Sequence, residues 1–157
     1  PQNLSSYAVF DLVQKFILDA LDAAVKDAPQ SHSIFIPSPY IVATHKGKGD
    51  ETIIRTLHDL VHNSKKANPP TLKIIHRQKK SITLLEGVEQ AENSFHAKLM
   101  AHCGPGDTVR VLLTSANFNH QHMQTEPNDD YSNMDWVLLY EISKDEWEAW
   151  KELIGFD

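Results

Sequence analysis

The chain has 157 residues, a length that suits one domain with a substantial core and is short for two. Its formal net charge of −6, with histidines counted as neutral, argues against non-specific wrapping of a long polyanion, although it is compatible with a locally basic groove. The one cysteine, Cys103, excludes an internal disulfide and favours an intracellular protein. No apolar run approaches the length of a membrane span, so we expect no membrane-spanning segment.

The first half of the sequence alternates between helical and extended patterns. Apolar residues at helical spacing predict two helices, the first with Ser5 or Ser6 as its N-cap. Short apolar runs predict two strands, and the prolines and glycines from Pro37 to Gly49 predict a loop. The predicted elements are a helix over 5–27, a strand over 33–38, a helix over 50–63 and a strand over 72–76.

The second half predicts a hairpin, a long loop, a strand and a final helix. Two strands, over 94–102 and 108–116, are joined by the turn sequence Gly-Pro-Gly-Asp, and a polar loop follows over 119–133. A strand over 135–142 then leads into a helix that begins with a capping-box pattern, Ser143 with Glu146, and ends at Gly155. This order of elements predicts an α/β fold of mixed type, in which one mixed sheet flanked by helices forms a single domain over 1–157.

The hairpin carries four polar residues of chemical interest. Residues two apart in a strand point to the same face, so His96 shares a face with Lys98, and Ser115 shares a face with Asn117. Folding the two strands about the turn brings position 96 opposite 114 or 115. We therefore expect all four side chains to gather at the end of the hairpin away from the turn, within a register slip of one residue.

These four residue types suit the chemistry of a phosphoryl group. A histidine can serve as a nucleophile or as a general acid and base near neutral pH. A lysine supplies positive charge, and a serine hydroxyl and an asparagine amide supply neutral donors, which together stabilise charge that develops on phosphate oxygens. The alternative interpretation is a polar strand end that simply faces solvent.

The segments FHAKLM and LLTSANF resemble the HxK…SxN signature of the phospholipase D superfamily, often called the HKD motif. They are most similar to the tyrosyl-DNA phosphodiesterase branch. The superfamily motif usually has an aspartate at the place of Cys103, whereas that branch lacks it and uses an asparagine after the second strand, where this chain has Asn117. The detailed match covers about twenty-five residues.

The resemblance implies a hydrolase that forms a phosphohistidine intermediate without a metal or another cofactor. By that resemblance His96 attacks phosphorus, Lys98 and Asn117 bind phosphate oxygens, and Ser115 supports them. A second histidine would protonate the leaving group and activate water. The implied substrates are DNA ends or protein–DNA adducts, as in DNA repair, which implies nucleic acid as partner and the nucleus as a location. Other nucleases and phospholipases of the same superfamily are the alternative.

The sequence contains this signature once, whereas family active sites are built from two. The nearest imitation, from His45 to Lys48, has no Ser-x-Asn partner. Three interpretations stay open: two copies of the chain pair as a homodimer, the chain is one half of a two-motif enzyme, or it is a non-catalytic binding module.

Several other patterns compete with the hairpin. His58 and His62 have the spacing of a zinc-binding helix pair, but no third ligand is evident, and exposed helix histidines are the simpler interpretation. His120 and His122 allow the same two interpretations. The tryptophans are expected to pack in the core rather than stack on bases. A basic cluster is expected to be a solvated face; it comprises Lys65, Lys66, Lys73, Arg77, Lys79 and Lys80.

Overall fold

A computed structural model describes residues 2–45, 48–50, 52–78, 85–91, 94–127 and 134–156. Side chains are described outside 2–3 and 43–50. The described helices are α1 (Ser6–Asp27), α2 (Thr52–His62) and α3 (Lys144–Ile154). The described strands are β1 (Gln2–Ser5), β2 (Ser33–Pro37), β3 (Ala43–His45), β4 (Lys48–Asp50), β5 (Thr71–His76), β6 (Val88–Gln90), β7 (Leu99–Cys103), β8 (Thr108–Thr114) and β9 (Met134–Ser143).

Seven of the described strands form one mixed sheet in the order β1-β9-β8-β7-β2-β5-β6. Strands β2, β5 and β6 run parallel to one another, and β7, β8, β9 and β1 follow with antiparallel pairings. Helix α2 lies in the connection between β2 and β5, as expected for a parallel pair. The predicted α/β class, with one mixed sheet and flanking helices, is confirmed.

The sheet has an apolar core on each face. On one face α1 and α2 pack against the sheet through residues such as Phe10, Ile17 and Leu57. On the other face α3 packs through Trp147 and Ile154. A helix buries one apolar stripe and a strand alternates its side chains between faces, so these periodicities determine which residues enter which core.

Most of the predicted elements agree with the structure to within a few residues. The Ser5 hydroxyl accepts a hydrogen bond from Ala8 N and caps α1, and the Ser143 hydroxyl does the same for Glu146 N at the start of α3. Gly155 ends α3 in the left-handed conformation with φ of 108°, which a glycine adopts without strain. Trp147 is buried as expected, and Trp150 packs partly buried against the same core.

Two predictions about the elements are wrong, and two strands were not predicted. The segment up to Gly49, expected as a loop, contains the antiparallel pair β3 and β4. Strands β1 and β6 were not predicted, because each is short and lacks an apolar alternation. The hairpin strands are also shorter than expected, since 94–98 and 115–116 lie outside β7 and β8. None of the described helices has the length and apolar character needed to cross a membrane.

The hairpin register differs slightly from the prediction. Leu99 pairs with Leu113, and Thr114 N donates a hydrogen bond to Lys98 O at 3.1 Å. Continued outward, this register places position 96 beside 116 rather than beside 114 or 115. The difference arises because the turn is centred slightly later in the chain than predicted, with Cys103 paired to Val109.

Candidate functional site

The candidate site lies at the edge of the sheet where β2 and β5 end. Because β2 and β5 are parallel, their carboxyl ends meet at one edge, and crevices beyond such ends are common ligand sites in α/β proteins. Strand β7 runs antiparallel to β2, so its amino-terminal approach, residues 94–98, reaches the same edge. The end of β8 and the start of β9 arrive there as well.

His96 and Lys98 lie in the extended approach to β7. The His96 side chain is exposed, and Lys98 is half-buried. Lys98 Nζ donates to the backbone oxygen of His96 at 3.1 Å, which turns the ammonium group back toward the histidine. The alternation of Phe95, Ala97 and Leu99 into the α3-side core leaves His96 and Lys98 on the opposite side of this segment.

Arg77 contacts His96 directly from the end of β5. The Arg77 Nη1 atom is 3.5 Å from His96 Nε2 and 3.5 Å from Ser94 Oγ, while Nη2 donates to the Tyr40 hydroxyl at 3.1 Å. The guanidinium carbon lies 5.1 Å from the centroid of the Tyr40 ring, a cation–π geometry. The sequence placed Arg77 only in a basic cluster. The available signal was its position immediately after a predicted apolar strand.

The loop after β2 is held rigidly beside Arg77. Arg77 N donates to Pro39 O at 3.1 Å, and this bond continues the β2–β5 pairing past the strand ends. The buried Ser38 hydroxyl donates to Tyr40 O and accepts from Phe118 N, which joins this loop to the segment after β8. Buried, satisfied polar groups of this kind fix side chains above them in one geometry.

The buried Gln78 side chain fixes the next two residues of the same loop. Its Oε1 accepts from Ile41 N and Val42 N, both at 2.8 Å, and its Nε2 donates to Val42 O at 3.0 Å. The nearby His76 is also buried, and burial lowers the pKa of its imidazole. The residues on both sides of Arg77 in the chain are therefore buried, and Gln78 is anchored by neutral polar contacts.

Ser115 belongs to a second polar group at this edge. Its hydroxyl donates to Asp135 Oδ1 at 2.8 Å and accepts from Trp136 N at 3.0 Å. Asp135 is 7% exposed, and its Oδ2 accepts from His122 Nδ1 at 3.2 Å. A carboxylate that holds Nδ1 of a histidine orients the ring and leaves Nε2 available, as in catalytic triads. Sequence reasoning did not identify the pair of His122 and Asp135.

Asn117 has a buried amide oxygen that no described group satisfies. A buried polar atom without a partner costs free energy, so such atoms are uncommon and often mark a place where a ligand or water binds. Within the described residues, no hydrogen bond joins the side chains of His96, Lys98, Ser115 and Asn117 to one another.

Two cations at the edge have no described carboxylate partner. Among the residues that the structure describes, neither Arg77 nor Lys98 has a carboxylate at ion-pair distance, and their hydrogen-bond partners are neutral. Other cations of this acidic chain do find carboxylates, as Lys66 does with Asp22 and Lys15 with Asp11. The half-buried cations at the edge therefore form a surface complementary to an anion.

The other residues of chemical interest do not form a metal site or a reactive thiol within the described part of the chain. The rings of His58 and His62 stack on α2 with 3.9 Å between their centroids. The pKa of His58 is lowered, mainly by burial and secondly by the neighbouring His62. Across the described ranges, no group of three or more His, Cys, Asp or Glu side chains is arranged to hold a metal ion. Burial raises the pKa of the Cys103 thiol to about 11, so it is a poor nucleophile near neutral pH. The His45–Lys48 side chains, Lys79 and Lys80 lie outside the described residues.

The cavities beside β5, β6 and α3 are lined by side chains other than those of the candidate site. One cavity of about 430 Å³ lies against β5, β6 and the end of α2, with Glu86 and Phe156 in its lining. The candidate site is instead an open edge. In comparisons with protein-family models, curated proteins and solved structures, nothing matches this chain. Any function assigned to the chain therefore depends on the residues at the edge.

Proposed function

We propose that this chain is a metal-independent phosphodiesterase of the tyrosyl-DNA phosphodiesterase type, acting on DNA ends or protein–DNA adducts through a phosphohistidine on His96. The observation that carries the proposal is the convergence of two strand ends. Lys98 O and Thr114 N are hydrogen-bonded at 3.1 Å, which brings the HxK segment beside the SxN segment at one edge of the sheet.

The electrostatics of the edge support this proposal. Phosphoryl transfer needs donors and cations that stabilise charge on the phosphate oxygens, and little covalent chemistry from the protein. Lys98 supplies a cation without a described carboxylate partner. The unpartnered buried atom of Asn117 is its amide oxygen, an acceptor, so a phosphate oxygen would be bound by the amide nitrogen of the same side chain. The overall charge of −6 is no obstacle, because the relevant field is local.

In the first step, a ring nitrogen of His96 attacks phosphorus. A nitrogen–phosphorus bond forms, the phosphorus–oxygen bond to the leaving group breaks, and its electron pair stays on the leaving oxygen, which takes a proton from an acid. In the second step, water attacks the phosphohistidine. A base removes the proton of the water, and the nitrogen–phosphorus bond returns its electron pair to His96.

The acid and base of these steps require a second histidine. We assign it to a second copy of the chain or to a missing second half, because the signature occurs once in this sequence. The in-chain competitor is His122, which Asp135 orients at the same edge. The variant His122→Gln separates the two, since loss of turnover with unchanged oligomeric state would assign the role to His122.

The experiment that tests the proposal uses two substrates in the presence of EDTA. We expect the full chain to cleave a 3′-phosphotyrosyl oligonucleotide faster than a generic aryl phosphodiester, and His96→Ala to abolish both activities. His62→Ala, an exposed histidine on α2, is the matched control. Quenched reactions should contain a phosphorylated His96 that is labile to acid and stable to base. Turnover that survives His96→Ala, or that EDTA abolishes, contradicts the proposal.

The oligomeric state provides the second readout. If two copies share the site, specific activity should rise with protein concentration together with the dimer fraction measured by sedimentation. The alternative function is a non-catalytic binding module, which the single signature and the exposed position of His96 favour. A chain that binds a DNA end without forming the phosphohistidine would support that alternative.

A further inference from the structure

Arg77 occupies the space in front of a His96 ring nitrogen. Its Nη1 lies 3.5 Å from His96 Nε2, at the long limit of a hydrogen bond, so the contact is weak and easily exchanged. A guanidinium can only donate, so Nε2 must accept, and a neutral His96 then carries its proton on Nδ1. The lone pair that could attack phosphorus therefore points toward Arg77.

Every described contact of the Arg77 head is with a neutral group. These contacts are the Tyr40 hydroxyl and ring, Ser94 Oγ and His96 Nε2. Arginine is always charged, so its charge is balanced here by no carboxylate among the described residues. The Tyr40 hydroxyl and ring contact the guanidinium, and Pro39 O accepts from the Arg77 backbone N. The exchange of the His96 contact therefore requires movement of the Arg77 head and not of its backbone.

We propose that Arg77 is a phosphate-binding residue that moves from His96 Nε2 to a non-bridging oxygen of the scissile phosphate when substrate binds. This inference rests on the proposed function, which supplies the attack by His96. Phosphorus reaches Nε2 along the lone-pair direction, so its oxygens enter the space between Nε2 and Nη1. As the nitrogen–phosphorus bond forms and the bond to the leaving oxygen breaks, Arg77 stabilises the charge on the oxygen and exchanges no proton.

This assignment also defines a preference for anionic substrates. Arg77 Nη1 lies beside a ring nitrogen of His96, and Lys98 Nζ donates to the backbone oxygen of His96, so two positive charges lie close to the proposed nucleophile. Removing the charge from a non-bridging oxygen should remove much of the benefit of Arg77. A methylphosphonate diester, in which a methyl group replaces one such oxygen, is therefore the discriminating substrate.

The test compares Arg77→Gln and Arg77→Lys with Arg110→Gln. Arg110 is a suitable control because it lies on β8 against Phe16 and Asp19, away from the edge. On thymidine 3′-(4-nitrophenyl phosphate) we expect Arg77→Gln to lower kcat/KM roughly 10²-fold, with Arg77→Lys intermediate and Arg110→Gln unchanged. On the methylphosphonate analogue, Arg77→Gln should cost less than about tenfold. An equal loss on both substrates, or no loss on either, overturns the proposal.

A binding experiment distinguishes failure of this proposal from failure of the proposed function on which it rests. Inorganic phosphate is titrated into the native chain and the same variants, and binding is measured by calorimetry. Their unfolding curves are compared to check that the variants are folded like the native chain. We expect Arg77→Gln to weaken phosphate binding at least about fivefold and Arg110→Gln to leave it unchanged. Weakened binding in a chain that shows no turnover would reject the phosphodiesterase and retain Arg77 as the anion ligand. Phosphate binding that is absent, or unaffected by Arg77→Gln, overturns the assignment.

Discussion

Two histidine groups lie at opposite ends of β7, and they differ in burial and in hydrogen bonding. His96, before the strand, is exposed and is contacted by the cations Arg77 and Lys98. His102, within the strand, is 7% exposed and contacts the buried His32 with 2.8 Å between the ring nitrogens. His32 in turn contacts Asp27 Oδ2 at 2.7 Å. Residue type alone therefore does not mark a site, because the same imidazole serves packing at one end and faces solvent at the other.

In the buried group, the hydrogen bonds indicate which ring nitrogens carry a proton. Asp27 accepts from His32 Nε2, so a neutral His32 accepts at Nδ1 from His102 Nε2, and His102 Nδ1 is left as a buried acceptor without a partner among the described residues. Burial first, and then the neighbouring His32 and Arg110, lower the pKa of His102 to about 4. The His32 and His102 side chains are buried, and we call this end of the sheet the closed end. His96 is exposed beside two cations, and we call its end the open end.

The largest expected effects come from substituting the two histidines in parallel. His96→Gln should lower phosphodiesterase turnover roughly 10³-fold or more and change the free energy of unfolding by less than about 0.5 kcal/mol, because its side chain is exposed. His102→Gln should destabilise the fold by about 1–3 kcal/mol, because its buried partner His32 loses a well-placed donor, and leave turnover of the folded protein intact. Turnover assays and urea unfolding measure both. A reversed pattern would contradict the contrast between the open and the closed end.

The second prediction concerns pH. The folded-state pKa of His102 lies below its ordinary value of 6.5, so the unfolded chain takes up more protons between about pH 6.5 and 4. The stability that the neutral imidazole contributes is therefore fully present above pH 6.5 and is lost as the pH falls toward 4, by about 3 kcal/mol at most. Urea unfolding at pH 7 and pH 5 should show this loss in the native chain and a smaller one in His102→Gln. Equal losses would exclude His102 as the source.

The third prediction tests how tightly the closed end is packed. A methyl group at Gly104 would lie 2.7 Å from His32 Cε1 and 3.0 Å from its Nδ1, so the ring would have to move. Gly104→Ala should cost about 1–3 kcal/mol through this crowding. Gly106→Ala is the matched control, because a methyl group at that position would meet nothing within 4 Å. Similar stability of the two variants, measured by thermal unfolding, would show that the His32 ring moves aside at little cost.

The smallest expected effect is at the start of α3, near the same turn. Ser143→Ala removes the oxygen that accepts from Glu146 N at 3.1 Å, and should cost about 1 kcal/mol. Ser143→Asp keeps an acceptor at the cap and should restore most of the loss. Phosphodiesterase turnover should not change in either variant, since this cap lies at the far end of the sheet from His96. A change in turnover would show that the two ends are coupled.

Local sequence signals were enough to predict most of the elements and their caps. Apolar periodicity, the serines at positions 5 and 143 and the glycine at 155 act within a few residues, so they predicted α1 and α3 closely. The turn from Gly104 to Asp107 likewise predicted the hairpin and brought the HxK and SxN segments to one end. Its register and the extents of its strands were inaccurate, because both depend on pairing beyond the turn.

The surroundings of His96, in contrast, depend on long-range pairing. Arg77 reaches it because β5 pairs in parallel with β2 and β2 pairs with β7, an order of strands that local pattern does not encode. The short strands β1 and β6 were missed for the same reason, since their pairing and not their composition makes them strands. Likewise, His122 meets Asp135 across thirteen residues, a contact that β9 creates by pairing with β8.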